Sequence, residues 1–205
     1  MEASLNQRAK ETLDRAMNDL KEVNESGGWE VFGHGKKIEQ MRKPSDVLFL
    51  IRGVCTIPLD HETVKAFVEK PENRPKFFTD ISEVRVLETL SDGSQITLNV
   101  IKCPPGVSDR ESITVCGVRV DDEENIYIAE RSIDYGHPVQ DGKVRVDLHM
   151  SGFVIQPVGP RECTLAYIFN LDPKGALPEA FVNLVQKKQA KVPGIVRELL
   201  KSGER

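Results

Sequence analysis

The sequence has few of the features that mark membrane, secreted and nucleic-acid-binding proteins. No stretch of its 205 residues comes near the ~20 consecutive apolar residues a bilayer-spanning helix needs. The opening segment MEASLNQRAKETLDRA is charged and has no apolar signal-peptide core, so the expected location is the cytoplasm. A net charge of only −4 offers nucleic-acid phosphates no general attraction, and no nucleic-acid partner is expected. Cys55, Cys103, Cys116 and Cys163 lie far apart with no CxxC pair. Cys55, Cys116 and Cys163 fall in apolar, strand-like runs, so buried reduced thiols are expected rather than a zinc site or a disulfide framework.

Catalytic and metal-binding motifs are equally scarce. His34, His61, His137 and His149 are scattered, and His61-Glu62 is not followed by the second histidine of a zincin helix. Gly33-His34-Gly35-Lys36-Lys37 lacks the run of amides before Gly-Lys-Ser/Thr that cradles phosphate, and it reads as a hairpin turn. No serine sits in a Gly-x-Ser-x-Gly elbow. Asp121-Asp122-Glu123-Glu124 lacks calcium-loop spacing and reads as a solvated turn. No cofactor, metal or catalytic residue is expected, and the chain is expected not to be an enzyme.

What the sequence does contain is ordered periodicity. A composition of 39% hydrophobic and 29% charged residues argues against general disorder, and the length permits one domain, read over 1–205, with a substantial core. Leu5, Ala9, Leu13, Ala16, Met17, Leu20 and Val23 recur at helical spacing, and Ser26-Gly27-Gly28 ends that helix. Strand signals follow at 29–32 and 47–51, and Asp60 is placed to cap a short helix through Glu62, Val64, Phe67 and Val68. Further runs are read at 84–87, 95–100, 112–120, 125–133, 144–150, 153–158 and 163–169. Asp92-Gly93 is a strong hairpin signal between the first two of these. Phe181, Leu184, Val185, Val192, Val196, Leu199 and Leu200 return to helical spacing after Pro178, with Pro193-Gly194 set to kink or split that helix. This segregation predicts an α+β fold with helices packed on one concave sheet.

Several segments carry a resemblance. Ser108-Asp109-Arg110-Glu111 before Ser112-Ile113-Thr114-Val115 looks like an Arg-Asp motif with glutamate as the acid. Gly142-Lys143-Val144-Arg145-Val146 and Ser151-Gly152-Phe153-Val154-Ile155-Gln156-Pro157 follow in order. Leu171-Asp172-Pro173-Lys174-Gly175-Ala176-Leu177-Pro178 looks like an Asp-x-x-Gly-x-x-Pro segment before a closing helix, and Trp29 fits a tryptophan near a first strand. In this order and spacing, nearly the whole chain resembles the START family of lipid-transfer domains, and the Pro193-Gly194 break is similar to that of its phosphatidylcholine-carrier-like members. The resemblance implies a helix-grip fold: a curved antiparallel sheet around a long C-terminal helix, with an N-terminal helix and an internal hydrophobic tunnel.

It also implies sites. Pro104, Pro105, Gly106 and Val107 would form a gate loop at the tunnel mouth, the plain alternative being a hairpin connection. Phe181, Val185, Val192 and Val196 would line the tunnel, although a helical apolar stripe also serves simple core packing. Tyr167 stands where the family often places an aromatic beside ligand, and a buried structural tyrosine is equally consistent. Asn99 and Cys116 lie nearest the positions where the family's sterol carriers have an acid and an arginine. Arg74 resembles an arginine that contacts lipid phosphate, with Phe78 where its acidic companion would stand. Arg110 and Arg145 resemble structural arginines, each needing an acidic partner if buried.

The expected function is binding of a single lipid, followed by transfer between membranes or sensing. A phospholipid is favoured, with a sterol or fatty acid open, and peripheral membrane contact is expected to be transient. Lifting a two-chain lipid from a bilayer exposes about thirty methylenes at ~0.8 kcal/mol each, which only a continuous apolar enclosure offsets. The alternatives are a helix-grip enzyme of aromatase/cyclase type, marked by paired acids or by His149 with a carboxylate in the cavity, and a ligand-dependent sensor that binds a protein partner.

Overall fold

The computed structural model describes residues 4–203 except Lys36, Val47 and Ala176. Those three belong to the predicted first hairpin turn, second strand run and segment before the closing helix, so those parts of the expectations lie outside the described residues. The chain opens with α1 (Leu5–Glu25), then β1 (Glu30–Gly35), β2 (Ile38–Pro44) and β3 (Phe49–Ile57). Two short helices, α2 (His61–Val68) and α3 (Arg74–Phe77), lead into β4 (Ile81–Thr89) and β5 (Gln95–Ile101). Strands β6 (Asp109–Val120), β7 (Ile126–Ser132), β8 (Lys143–Arg145), β9 (Asp147–Gly159) and β10 (Glu162–Asp172) follow. Helices α4 (Glu179–Gln189) and α5 (Val192–Ser202) close the chain.

The sheet runs β1-β2-β3-β10-β9-β7-β6-β5-β4, antiparallel throughout this path, with β8 paired in parallel to β6. The β3–β10 pairing, with Leu165 opposite Cys55, joins the N-terminal meander to the rest. Register shifts at Val31/Gly33, Ile81/Glu83, Val86/Glu88 and Asn170/Leu171 add local bends to the natural sheet twist. The result is the curved antiparallel sheet of a helix-grip fold.

Local chemistry explains most elements. Asp60 caps α2 by accepting from the Thr63 amide at 2.8 Å and the Thr63 hydroxyl at 2.7 Å. Gly93, at φ 83°, closes the β4–β5 hairpin. The final helix is split as Pro193 predicts: α4 ends at Gln189, and the proline sits in the first turn of α5, where its missing N–H costs nothing.

One reading is corrected. The runs at 144–150 and 153–158 are not separate strands, because β9 runs unbroken from Asp147 to Gly159. Gly152 sits inside it because a Cβ there would lie 2.5 Å from Leu20 Cδ2 and 2.8 Å from the Ile128 carbonyl oxygen. This glycine marks a close approach rather than a turn. The helices divide between the two faces of the sheet. Central strands are apolar on both faces, as in Ile126, Tyr127, Ile128 and Ala129, all buried. Such a sheet needs a cover on each side.

On the outer face, α1 packs Ala9, Leu13, Ala16, Met17 and Leu20 against Ile96, Ile113, Tyr127, Val154 and Ile168. Ion pairs to the sheet from Asp14 (to Arg119) and Asp19 (to Arg131, 2.5 Å) hold its rim. On the inner face, α2, α3 and α5 bury Val64, Phe67, Phe77, Val192, Val196 and Leu200 against Cys55, Ile128, Phe153 and Leu165. The four cysteines are free thiols. Among the described residues, no helix is long and apolar enough to cross a membrane, and no group of histidine, cysteine and acidic residues could hold a metal ion.

Candidate functional site

The inner face is not uniformly filled. Beside the core under α5 lies a cavity of about 130 Å³ between the sheet and α4. Its walls come from Phe49 and Ile51 of β3, Phe78 and Ile81 after α3, Tyr167, Phe169 and Leu171 of β10, and Phe181, Val182 and Val185 of α4. Protein interiors hold few voids larger than one water. This hollow exists because α4 fits the sheet loosely: Phe181, Val182 and Val185 are only half-buried, and Gln186 is its one buried residue. Helix α5 instead buries Val192, Pro193, Gly194, Val196, Arg197 and Leu200. Gly53 sets the junction between the two, since a Cβ there would meet the Ala190 carbonyl oxygen at 2.1 Å.

Phe78, Tyr167 and Phe169 give the cavity an aromatic wall, backed by Phe153 of the packed core. Phe78 and Tyr167 rings lie 5.3 Å apart, Phe153 and Tyr167 4.9 Å, and Tyr167 and Phe169 6.3 Å. Each ring is contributed by α3's end, β9 or β10, so strand spacing alone does not announce the cluster. The Tyr167 hydroxyl shares a 3.0 Å hydrogen bond with Ser151, and burial pushes its pKa well above the usual phenol range.

Against this apolar lining stands one buried polar cluster. Arg74 Nη1 donates to Glu130 Oε1 at 3.0 Å and to Asn99 Oδ1 at 3.1 Å. The same Glu130 oxygen accepts from Asn99 Nδ2 at 3.2 Å and from Thr114 Oγ1 at 2.5 Å. Thr97 and Thr114 hydroxyls lie 3.0 Å apart beneath it. Burial is the largest influence on Arg74 and works against its charge, but the Glu130 carboxylate and the Cys116 sulfur together hold the guanidinium above its ordinary value. The cluster exists because β5, β6 and β7 point Thr97, Asn99, Ser112, Thr114 and Glu130 to the inner face, while Ile96, Leu98, Ile113 and Val115 face α1.

The structure brings together five of the predicted lining residues: Arg74, Asn99, Tyr167, Phe181 and Val185 border the cavity. Cys116 lies beside Arg74, its thiol pushed up to about 11 by burial, but does not border the hollow. Val192 and Val196 belong to the packed core instead. Pro104, Pro105 and Gly106 are exposed and Val107 is half-buried. They form a turn closed by the Val107 amide on the Pro104 carbonyl (3.1 Å), and their neighbours Lys102 and Cys103 reach the cavity.

Sequence reasoning missed Glu130. Phe78 does stand where an acid beside Arg74 is expected, but the acid arrives from β7. No local spacing signals a partner 56 residues away. Arg145 has the acidic partner it needs, Glu111, at 2.6 Å. His149 lies 3.4 Å from Asp147, and neither borders the cavity.

Comparison with known proteins decides the family. The model of the START domain matches residues 9–201. The chain belongs to the START domain family. START domain-containing protein 10 of human is 24% identical over 148 residues, covering 72% of this chain and 50% of that protein. The mitochondrial steroidogenic acute regulatory protein of chicken is 26% identical over 196 residues, covering 90% of this chain and 67% of that protein. This START chain thus spans about half the length of the first of these relatives. Among solved structures, human StAR-related lipid transfer protein 5 superposes with a TM-score of 0.86 at 18% identity, covering 98% of this chain and all (100%) of that one. At such identity the likeness concerns the fold alone.

Proposed function

We propose that this START domain holds a single lipid in the cavity under α4 and carries it between membranes. The observation that bears most weight is the hollow itself, aromatic and aliphatic over most of its wall. An unfilled void costs on the order of 24 cal/mol per Å³, so about 130 Å³ left unpacked would cost on the order of 3 kcal/mol. A lipid chain offsets that cost and gains an enclosure that bulk water cannot offer. The likeness in fold to human StAR-related lipid transfer protein 5 agrees with this reading.

A phospholipid is the favoured cargo, over a sterol or a fatty acid. A cavity of about 130 Å³ is smaller than the ~300–1,000 Å³ typical of ligand pockets, so loading would require α4 to move outward. Its loose packing supports that motion, with the turn at Pro104, Pro105, Gly106 and Val107 at the rim. Leu184, 46% exposed on α4, and the exposed, basic Lys187 of its last turn suit brief contact with a bilayer surface. A carrier is favoured over a catalyst because the cavity's Glu130 spends one oxygen on Arg74, Asn99 and Thr114.

The test is native mass spectrometry of the purified chain after incubation with vesicles, paired with a transfer assay between liposomes. One lipid per chain and measurable transfer are expected. Capture without transfer would make the domain a sensor, and no capture of any lipid would sink the reading.

A further inference from the structure

Two buried arginines border the cavity, and only one has a carboxylate. Arg74 is 5% exposed and paired with Glu130, whereas Arg110, 6% exposed, has two backbone carbonyls and the Cys103 sulfur as partners and no carboxylate among the described residues. Its Nη1 donates to the Ser108 carbonyl at 2.5 Å and its Nη2 to the Lys174 carbonyl at 3.4 Å. Its Nε is buried with no hydrogen-bond partner among the described residues.

The acids on the surrounding segments are committed elsewhere. Asp109 binds Lys102 at 2.6 Å, Asp80 binds Lys188 at 2.6 Å, Asp172 binds Lys174 at 2.6 Å, and fully buried Glu111 binds Arg145 at 2.6 Å. Cys103, beside the same guanidinium, is a thiol that burial pushes further up, so it supplies no negative charge at neutral pH. A buried guanidinium without a counter-charge is unfavourable, and folded proteins almost always pair such groups. The two ends of the polar lining therefore differ: Arg74 is neutralised by Glu130, and Arg110 is left with one uncompensated positive charge.

We propose that Arg110 seats the acidic group of the bound lipid, a phosphate or a carboxylate, while the acyl chains lie under α4. The planar guanidinium suits either anion, and its free Nε adds a charge-assisted hydrogen bond. Arg74 is not the equivalent seat, since an entering anion there meets the Glu130 carboxylate. The position of Arg110 also fits a headgroup near the opening. It joins the loop before β6, through Ser108, to the segment before α4, through Lys174. This assignment rests on the reading that the cavity holds a lipid.

The experiment presents the full chain with vesicles containing equal phosphatidylglycerol and diacylglycerol of matched acyl chains, and reads the captured lipid by native mass spectrometry. The wild type is expected to take phosphatidylglycerol over diacylglycerol by about tenfold, the worth of one good charge-assisted contact. In Arg110→Gln the ratio is expected to fall close to one. Equal capture by the wild type, or a preference that survives in Arg110→Gln, overturns the proposal.

If Arg110→Gln fails to fold by circular dichroism, Arg110→Lys serves, because it keeps the charge but loses the fork and the Nε donor. Its ratio must drop by at least about threefold, and an unchanged ratio again overturns the assignment. Excess inorganic phosphate during capture distinguishes a lipid headgroup from a free anion. Wild type that prefers the acidic lipid in excess phosphate, or loses that preference only by competition while Arg110→Gln shows none in either case, supports the headgroup. Lipid-free wild type that retains phosphate while taking the two lipids equally overturns the headgroup in favour of a free-anion site. Failure to capture either lipid would refute the cavity reading itself, whereas capture without acidic preference refutes only the role of Arg110.

Discussion

The two faces of the sheet are covered by helices of opposite character. Helix α1 sinks Ala9, Leu13, Ala16, Met17 and Leu20 into the outer face, and Gly117 and Gly152 let it come so close that a Cβ at either would lie 2.5 Å from a leucine methyl. Helix α4 covers the inner face with only Gln186 buried. One interface is a packed core and the other a roof over a hollow, although both helices are amphipathic. The lesson is that a hydrophobic stripe states which side of a helix faces the protein, and not how tightly it fits.

Five substitutions test that contrast. The largest effect is expected at the polar cluster under the roof, because Glu130→Ala leaves Arg74 buried without its carboxylate. Breaking such a pair costs about 3–5 kcal/mol, read as a lower urea midpoint, and adding Arg74→Met should recover most of it. A Glu130→Ala protein as stable as wild type would show that Arg74 is already solvated from the cavity.

On the packed face, Leu20→Ala should cost about 3 kcal/mol, since a fully buried leucine leaves a void that a tight interface cannot close. Val185→Ala on the roof should cost under about 1 kcal/mol, because its side chain is only half-buried beside existing space. Equal losses in these two variants would erase the distinction between the faces.

Gly53→Ala sharpens the comparison at the α4–α5 junction. The new methyl meets the backbone carbonyl of Ala190, which cannot rotate away as a side chain would. A loss of about 1–3 kcal/mol is expected, with faster amide exchange concentrated in α4 while α1 stays protected. Uniform exchange would mean that the roof and the core open together.

A modest effect, set by pH, lies at a helix end away from the cavity. Asp60→Ala should cost about 1 kcal/mol at neutral pH through the lost cap of α2. Hydrogen bonds from the Thr63 hydroxyl and amide hold the Asp60 carboxyl below its ordinary range. The cap's contribution is therefore complete above the unfolded value of about 4 and is lost as pH falls through the lower folded value. Urea midpoints of wild type and Asp60→Ala should converge in acid, and a constant gap down to about pH 2 would contradict the cap's role.

Much of the fold could be read from local chemistry. The α1 stripe, the Asp60 cap, the Asp92-Gly93 hairpin and the break near Pro193 each depend on residues within a turn or two of one another. The ordered segments around Arg110, Arg145 and Asp172 were enough to point to the family. Ser151-Gly152 misled, since a glycine admitting Leu20 looks the same in sequence as one that turns the chain. The candidate site was legible only in pieces: Arg74, Asn99, Tyr167, Phe181 and Val185 border one cavity, while Val192 and Val196 follow the same helical spacing into solid core.

What the sequence determined by itself was the order of elements, most of their caps and turns, and where the strand-like and helical runs lie, because those depend on neighbours in the chain. Only the tertiary structure decided that α1 and α4 take opposite faces, that Glu130 rather than a neighbour of Phe78 answers Arg74, and that Arg110 is left without a carboxylate. Burial, pairing and empty volume are properties of surfaces meeting across the fold. They come into being when β5, β6, β7 and α3 converge, and no local spacing encodes that convergence.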